Sequence, residues 1–103
     1  MRWLEVVNLC ACDDAAMEYL LGTSAGSHLD AIRELPTCHD VVVLRQPDVT
    51  GTFVLAVTWF GAGPPRKSRE VLALVDCLGR YGLVNHTVWS EFDVSSMSGK
   101  EQK

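Results

Sequence analysis

Two thiols stand two residues apart in this sequence, Cys10 and Cys12, in the run VVNLCACDDA that begins at Val6. Thiols at that spacing form half of a metal site, a redox couple, or two small apolar residues of a buried strand. Geometry weighs against the first two. Alternate strand residues stand roughly 6.6–6.8 Å apart with parallel side chains, whereas two thiolates at about 2.3 Å from one zinc ion bring their sulfurs under about 4 Å of each other. A disulfide between them would sit at the stretched end of the permitted Cα separation and would need a kinked strand. Cys10 and Cys12 are therefore read as small buried residues. With Cys38 and Cys77 they make four thiols in a reducing compartment.

Asn8, two positions before Cys10 on the same strand face, is the more informative candidate. A carboxamide among Val6, Val7 and Leu9 must be hydrogen-bonded if buried, by a backbone or Thr neighbour or by a substrate. His86 and His39 are the acid–base candidates, because imidazole titrates near neutral pH. His86 alternates with Val88 and Phe92 on an apolar face, as a structural histidine or as a base; His39 after a turn and His28 in a helix first turn are expected at the surface. Trp59 either walls a cavity or packs in the core. Trp89 shares one face of the last strand with Asn85, Thr87 and Glu91, a set that lines a cavity or faces solvent.

Other chemistries are not expected. No Gly-x-Ser-x-Gly elbow is read, and Ser68 on a basic helix has no partner by spacing, so a Ser-His-Asp hydrolase is set aside. Gly61-Ala62-Gly63-Pro64-Pro65 ends in two prolines, which remove the amide donors a phosphate loop needs. A net charge of −4 argues against a nucleic-acid surface. The one basic cluster, Pro65-Arg66-Lys67-Ser68-Arg69, is read as the solvated first turn of a helix. The start MRWLEVVNLCACDD does not resemble a signal peptide, and no apolar run approaches the roughly 20 residues that span a bilayer, so a cytoplasmic protein without membrane contact is expected.

The elements that must position these side chains are set by pattern and punctuation. Trp3 to Cys12 reads as a strand, and Asp13-Asp14 stop it and offer a carboxylate cap for a helix start. Ala16 and Leu20 mark a helical piece that Gly22 to Ser27 interrupts. Ser27 with Asp30 resembles a cap for a second piece carrying Leu29, Ile32 and Leu35, which Pro36 ends. Val41 to Gln46 and Thr52 to Phe60 form a hairpin around Pro47-Asp48 and Gly51. Pro64 or Pro65 opens another helix whose stripe is Val71, Val75 and Leu78 and which Gly79 ends. Gly82 to Val94 carries the last strand. The order predicts a single α+β domain over residues 1–94, a ferredoxin-like βαββαβ antiparallel sheet with helices on one face, followed by a flexible tail over 95–103.

Such a sheet, wet on its other side, should alternate apolar and polar residues. Here Phe53, Leu55, Val57 and Trp59 alternate with Val54, Ala56 and Phe60, and Trp3, Val7 and Leu9 with Leu4, Val6 and Cys10. Both faces need covering, since each large apolar side chain left in water costs roughly 1.5–3 kcal/mol. A homodimer through the sheet face supplies that cover most simply.

A βαββαβ chain of this length with a two-sided sheet resembles the dimeric α/β-barrel superfamily, and within it the antibiotic-biosynthesis-monooxygenase-like group. By element order the resemblance spans residues 2 to 94. Glu34-Leu35-Pro36-Thr37-Cys38 is similar to that group's acidic-x-Pro-Gly turn into strand two, with Thr37 in place of Gly. Phe53, Leu55 and Trp59 are similar to its aromatic-x-Leu-x-x-x-Trp strand, and Asn8 and Trp59 resemble the Asn and Trp that flank the ligand in its haem-degrading branch.

The resemblance implies a dimeric barrel with a cavity between sheet and helices touched by Asn8, Trp59 and His86, with Trp89 as a further substrate contact. It implies cofactor-free oxygenation of a small apolar, aromatic or polyketide-like substrate: His86 and Asn8 would serve the proton transfer, and the resulting stabilised carbanion would meet oxygen. The haem-degrading branch carries an axial His on its second helix, and residues 66–78 contain none, so no haem and no metal are expected. Leu55 stands where the quinone-forming branch often has Asn. The alternatives are a non-enzymatic ligand-binding or regulatory dimer of ACT-like type, although Asp13-Asp14 occupies the junction where such domains carry glycines, and a structural or interaction protein.

Overall fold

A computed structural model describes residues 2–10, 13–61 and 64–91. The elements run in the order β1 (Arg2–Cys10), α1 (Asp14–Leu21), α2 (Ser24–Arg33), β2 (Cys38–Arg45), β3 (Thr52–Phe60), α3 (Arg69–Leu78) and β4 (Leu83–Ser90). The strands form one antiparallel sheet in the order β2-β3-β1-β4, the ferredoxin-like plan with its first helical region divided.

Each boundary has a local cause. Asp13 caps α1, its carboxylate accepting from the Ala16 amide at 2.7 Å. Gly22 ends α1, and α2 begins at Ser24 with Thr23 as its cap. The Ser27 cap expected from the sequence therefore lies one turn inside α2, where its hydroxyl donates back to the Thr23 carbonyl. Helix α3 begins after Ser68, whose hydroxyl accepts from the Val71 amide at 3.2 Å. A serine hydroxyl accepts from that amide, which a proline side chain cannot do, so Pro64 and Pro65 precede the helix, and Arg66 and Lys67 lie in the approach rather than in its first turn. The β2–β3 turn closes on Gly51, whose φ of 86° is in the region glycine favours. The expected end of the last strand, Phe92 to Val94, and the expected tail lie outside the described residues.

Strand periodicity sorts the side chains cleanly. Trp3, Glu5, Val7 and Leu9 of β1 and Phe53, Leu55, Val57 and Trp59 of β3 are buried, and the residues between them are half-buried. The buried row meets Met17, Leu20, Leu29, Ile32, Val71, Leu74 and Leu78 from the helices in one core. Among the described residues the opposite face carries no helix, and it exposes Val42, Leu44 and Trp89. Among the described residues no helix is long and apolar enough to cross a membrane.

Candidate functional site

Strand parity puts one carboxylate where it should not be. Glu5 lies between Trp3 and Val7 on the covered face of a central strand and is fully buried. An ion in that position costs several kcal/mol unless its oxygens are satisfied. Three donors from three elements do so. The Trp59 indole Nε1–H of β3 donates to Oε1 at 2.9 Å, the Ser68 amide at the start of α3 donates to Oε2 at 3.0 Å, and His86 Nε2 of β4 meets Oε2 at 2.8 Å.

His86 is 5% exposed at its side chain, and its Nδ1 is the one buried side-chain polar atom without a partner among the described residues. The indole and the amide can only donate, so Glu5 serves both as a pure acceptor. The ring then donates from Nε2 and keeps a lone pair at Nδ1, which leaves no buried N–H orphaned. The carboxylate thus holds one ring nitrogen and fixes the orientation of the imidazole, while Nδ1 is enclosed without a partner.

A cavity of about 310 Å³ opens beside this network, at the end of the sheet. Its aromatic wall is Trp3, Trp59 and Phe60; Leu35 and Pro36 add apolar surface, and Thr37, Arg66, Ser68 and Glu70 add polar groups. Trp3 and Trp59 are direct partners in the β1–β3 register and stack with ring centroids 5.7 Å apart at 27°. Neither Arg66 nor Glu70 forms an ion pair among the described residues. A stacked aromatic wall with a free cation and a free anion at its edge suits a flat ligand with polar substituents.

The expected site residues divide between the two faces. Trp59 and His86 lie on the covered face and are joined through Glu5. Asn8 and Trp89 lie on the open face, so the single cavity expected to bring Asn8, Trp59 and His86 together is replaced by two separate places. The reason is parity: Asn8 is three residues from Glu5, and an odd step along a strand changes face.

On the open face Asn8 stands opposite Asn85 in the β1–β4 register, in a shallow depression of about 600 Å³ with Leu4, Val6, Val54, Thr87 and Trp89. Trp89, 59% exposed, donates its indole proton to the Thr87 hydroxyl at 2.8 Å. His39 is exposed and meets Phe60 edge-on, and His28 is half-buried. Burial pushes the Cys38 thiol above its ordinary value. No group of three or more metal-ligating side chains is assembled among the described residues.

Sequence reasoning missed Glu5. The available signal was a charged residue at an inward position of a strand otherwise rich in Val and Leu. A second feature also went unread: Gly22-Thr23-Ser24-Ala25-Gly26 has the Gly-x-Ser-x-Gly spacing. It joins α1 to α2 rather than a strand to a helix, and the Ser24 hydroxyl accepts from the Cys77 thiol at 3.3 Å, so it is no nucleophile elbow. Its second glycine is a packing requirement, since a Cβ on Gly26 would fall on the Leu21 carbonyl oxygen.

No family profile matches the chain, and no curated protein matches it in sequence. Solved structures do match in fold. Rv0793 from Mycobacterium tuberculosis is similar with a TM-score of 0.61 at 14% identity, over 92% of this chain and 99% of that one. SnoaB, a cofactor-independent oxygenase from Streptomyces nogalater, is similar with a TM-score of 0.58 at 13% identity, over 89% and 93%. An antibiotic biosynthesis monooxygenase is similar with a TM-score of 0.59 at 15% identity, over 86% and 98%. The chain thus has the ferredoxin-like fold of antibiotic-biosynthesis-monooxygenase-like proteins.

Proposed function

We propose that this chain, built on the fold of cofactor-independent oxygenases, is a small monooxygenase-like enzyme that holds a flat aromatic or polyketide-like substrate against Trp3 and Trp59. The observation that carries the reading is the stacked Trp3–Trp59 wall with Thr37, Arg66, Ser68 and Glu70 around one cavity. A substrate with an activated CH₂ between aromatic rings loses a proton to a base and forms a delocalised carbanion. Dioxygen adds to that carbon, and loss of water leaves a carbonyl, so CH₂ and O₂ become C=O and H₂O with no external reductant. His86, oriented by Glu5, is the proposed proton acceptor. Asn8 belongs to the open face, with Trp89, away from this cavity.

That open face is where the second copy of the chain sits in this proposal. Leu4, Val6, Val54, Leu44 and Trp89 form a surface too apolar to leave in water, and a cytoplasmic homodimer through the sheets covers it. Sedimentation at micromolar concentration should give a dimer.

A second reading has its own support. His86 Nδ1 is closed from solvent and neither His86 nor Glu5 lines the cavity, which favours a dimer that binds a small aromatic ligand without reacting it. One experiment separates the two: the wild-type protein with anthrone as probe, followed by tryptophan fluorescence and by an oxygen electrode. Quenching together with oxygen uptake and anthraquinone formation above the spontaneous rate supports the enzyme. Quenching with no added oxygen uptake supports the binding protein. Absence of quenching at millimolar probe removes the cavity as a ligand site.

A further inference from the structure

We propose that Glu5 is a positioning residue for the cavity: one buried carboxylate that fixes the plane of the Trp59 indole and the start of α3, so that wall and edge of the cavity keep a set arrangement. The inference rests on the reading of that cavity as the ligand site.

Two of the three groups bonded to Glu5 belong to the cavity lining. Trp59 supplies its wall, and Ser68 supplies its edge next to Arg66 and Glu70. Glu5 itself is behind them, so it acts on a ligand only through them. The indole N–H is turned inward to Oε1 and so is not available to a ligand in the cavity. The Ser68 amide is the cap residue's own N–H, and the Ser68 hydroxyl in turn holds the Val71 amide. The carboxylate thus sits against the positive end of α3, which adds a favourable dipole to the two bonds at Oε2.

His86 completes the set from the edge strand. It holds Oε2 at the helix side, so the carboxylate cannot rotate away from Trp59 without breaking a bond at its other oxygen. These contacts join β1, β3, β4 and α3 over separations of 54, 63 and 81 residues, so no short-range feature duplicates them. A carboxylate held only to stabilise the fold would have no need to select two cavity-lining groups. A site held in place by its supporting residues needs this kind of contact.

The test uses ¹⁵N-labelled wild-type chain, Glu5→Gln, and Leu20→Ala as a control that weakens the core on α1 without touching the cavity. Two readouts are taken: hydrogen exchange of the tryptophan indole protons, and the Kd for 2-naphthol by fluorescence quenching. The wild-type Trp59 indole proton should exchange at least tenfold more slowly than that of the exposed Trp89. Glu5→Gln keeps the volume but sets an NH₂ against donors; it should speed Trp59 exchange at least tenfold and raise the Kd about tenfold. Leu20→Ala should leave the Kd within twofold. A Trp59 proton as fast as that of Trp89 in the wild type overturns the proposal and needs no variant to fold. So does a Glu5→Gln chain with unchanged exchange and Kd, or a Leu20→Ala chain whose Kd rises as much. If 2-naphthol fails to bind the wild type, the cavity reading falls, and the exchange rates still decide whether Glu5 holds Trp59.

Discussion

The two faces of this sheet carry polar residues in different ways. On the covered face Glu5 is enclosed, and its partners come from β3, α3 and β4. On the open face Thr87 and Trp89 satisfy each other two residues apart, and Thr87 also reaches the Val6 carbonyl of the neighbouring strand at 3.5 Å. Water is the cause of the contrast. An exposed polar group has solvent as a fallback and needs few protein partners, whereas a buried one must collect every partner from the protein. Polar groups on the covered face therefore bind distant parts of the chain together, and those on the open face leave the surface free for another molecule.

The comparison breaks most sharply at Glu5. Glu5→Leu leaves the Trp59, Ser68 and His86 donors unpaired and should cost about 3–5 kcal/mol in urea unfolding, against under about 1 kcal/mol for Asn8→Leu on the other face. Equal costs would show that the two faces do not differ as described. Next come the tryptophans. Trp59→Ala should lose about 3–5 kcal/mol of subunit stability by emptying a packed site. Trp89→Ala should lose less than about 1 kcal/mol, with its effect seen in association instead.

The open face itself is tested by Val54→Asp, placed in the centre of the apolar depression. It should weaken dimerisation about 100-fold by sedimentation, equivalent to about 2.8 kcal/mol, while the far-ultraviolet spectrum stays unchanged. Ser68→Ala should cost about 1 kcal/mol through the lost α3 cap. The smallest expected effect compares thiols. Cys10, which the structure exposes at the end of β1 on the open face where the sequence led us to expect a buried residue, should alkylate several-fold faster at pH 8 than Cys38, whose thiol is pushed up by burial and so holds less thiolate.

Much of the fold was legible residue by residue. The Val and Leu alternation of β1 and β3 marks both faces as apolar, Asp13 and Gly79 mark helix ends, and Gly51 marks the hairpin. These signals are short-range, and each acts through a few neighbouring dihedrals or through side chains one strand step apart. Where a local rule offered two answers the choice was less secure. Ser27 with Asp30 satisfies a capping pattern, yet α2 starts one turn earlier after Thr23, whose side chain makes no capping bond, and Pro64 or Pro65 is as good a helix opener as Ser68 until the amide of Val71 needs an acceptor.

The site was legible only in part. Trp59 and His86 were readable as inward residues of their strands, and parity alone suffices to separate them from Asn8 and Trp89 once Glu5 is taken as inward too. By itself, then, the sequence determined the element order and the two apolar faces, because strand period and turn chemistry are local properties, whereas the single cavity expected for Asn8, Trp59 and His86 did not survive the strand register. Only the tertiary structure decided that Trp59, Ser68 and His86 converge on Glu5 and that Trp3 stacks on Trp59. Hydrogen bonds across 54 to 81 residues depend on strand order and helix placement, and nothing in the sequence near either partner records them.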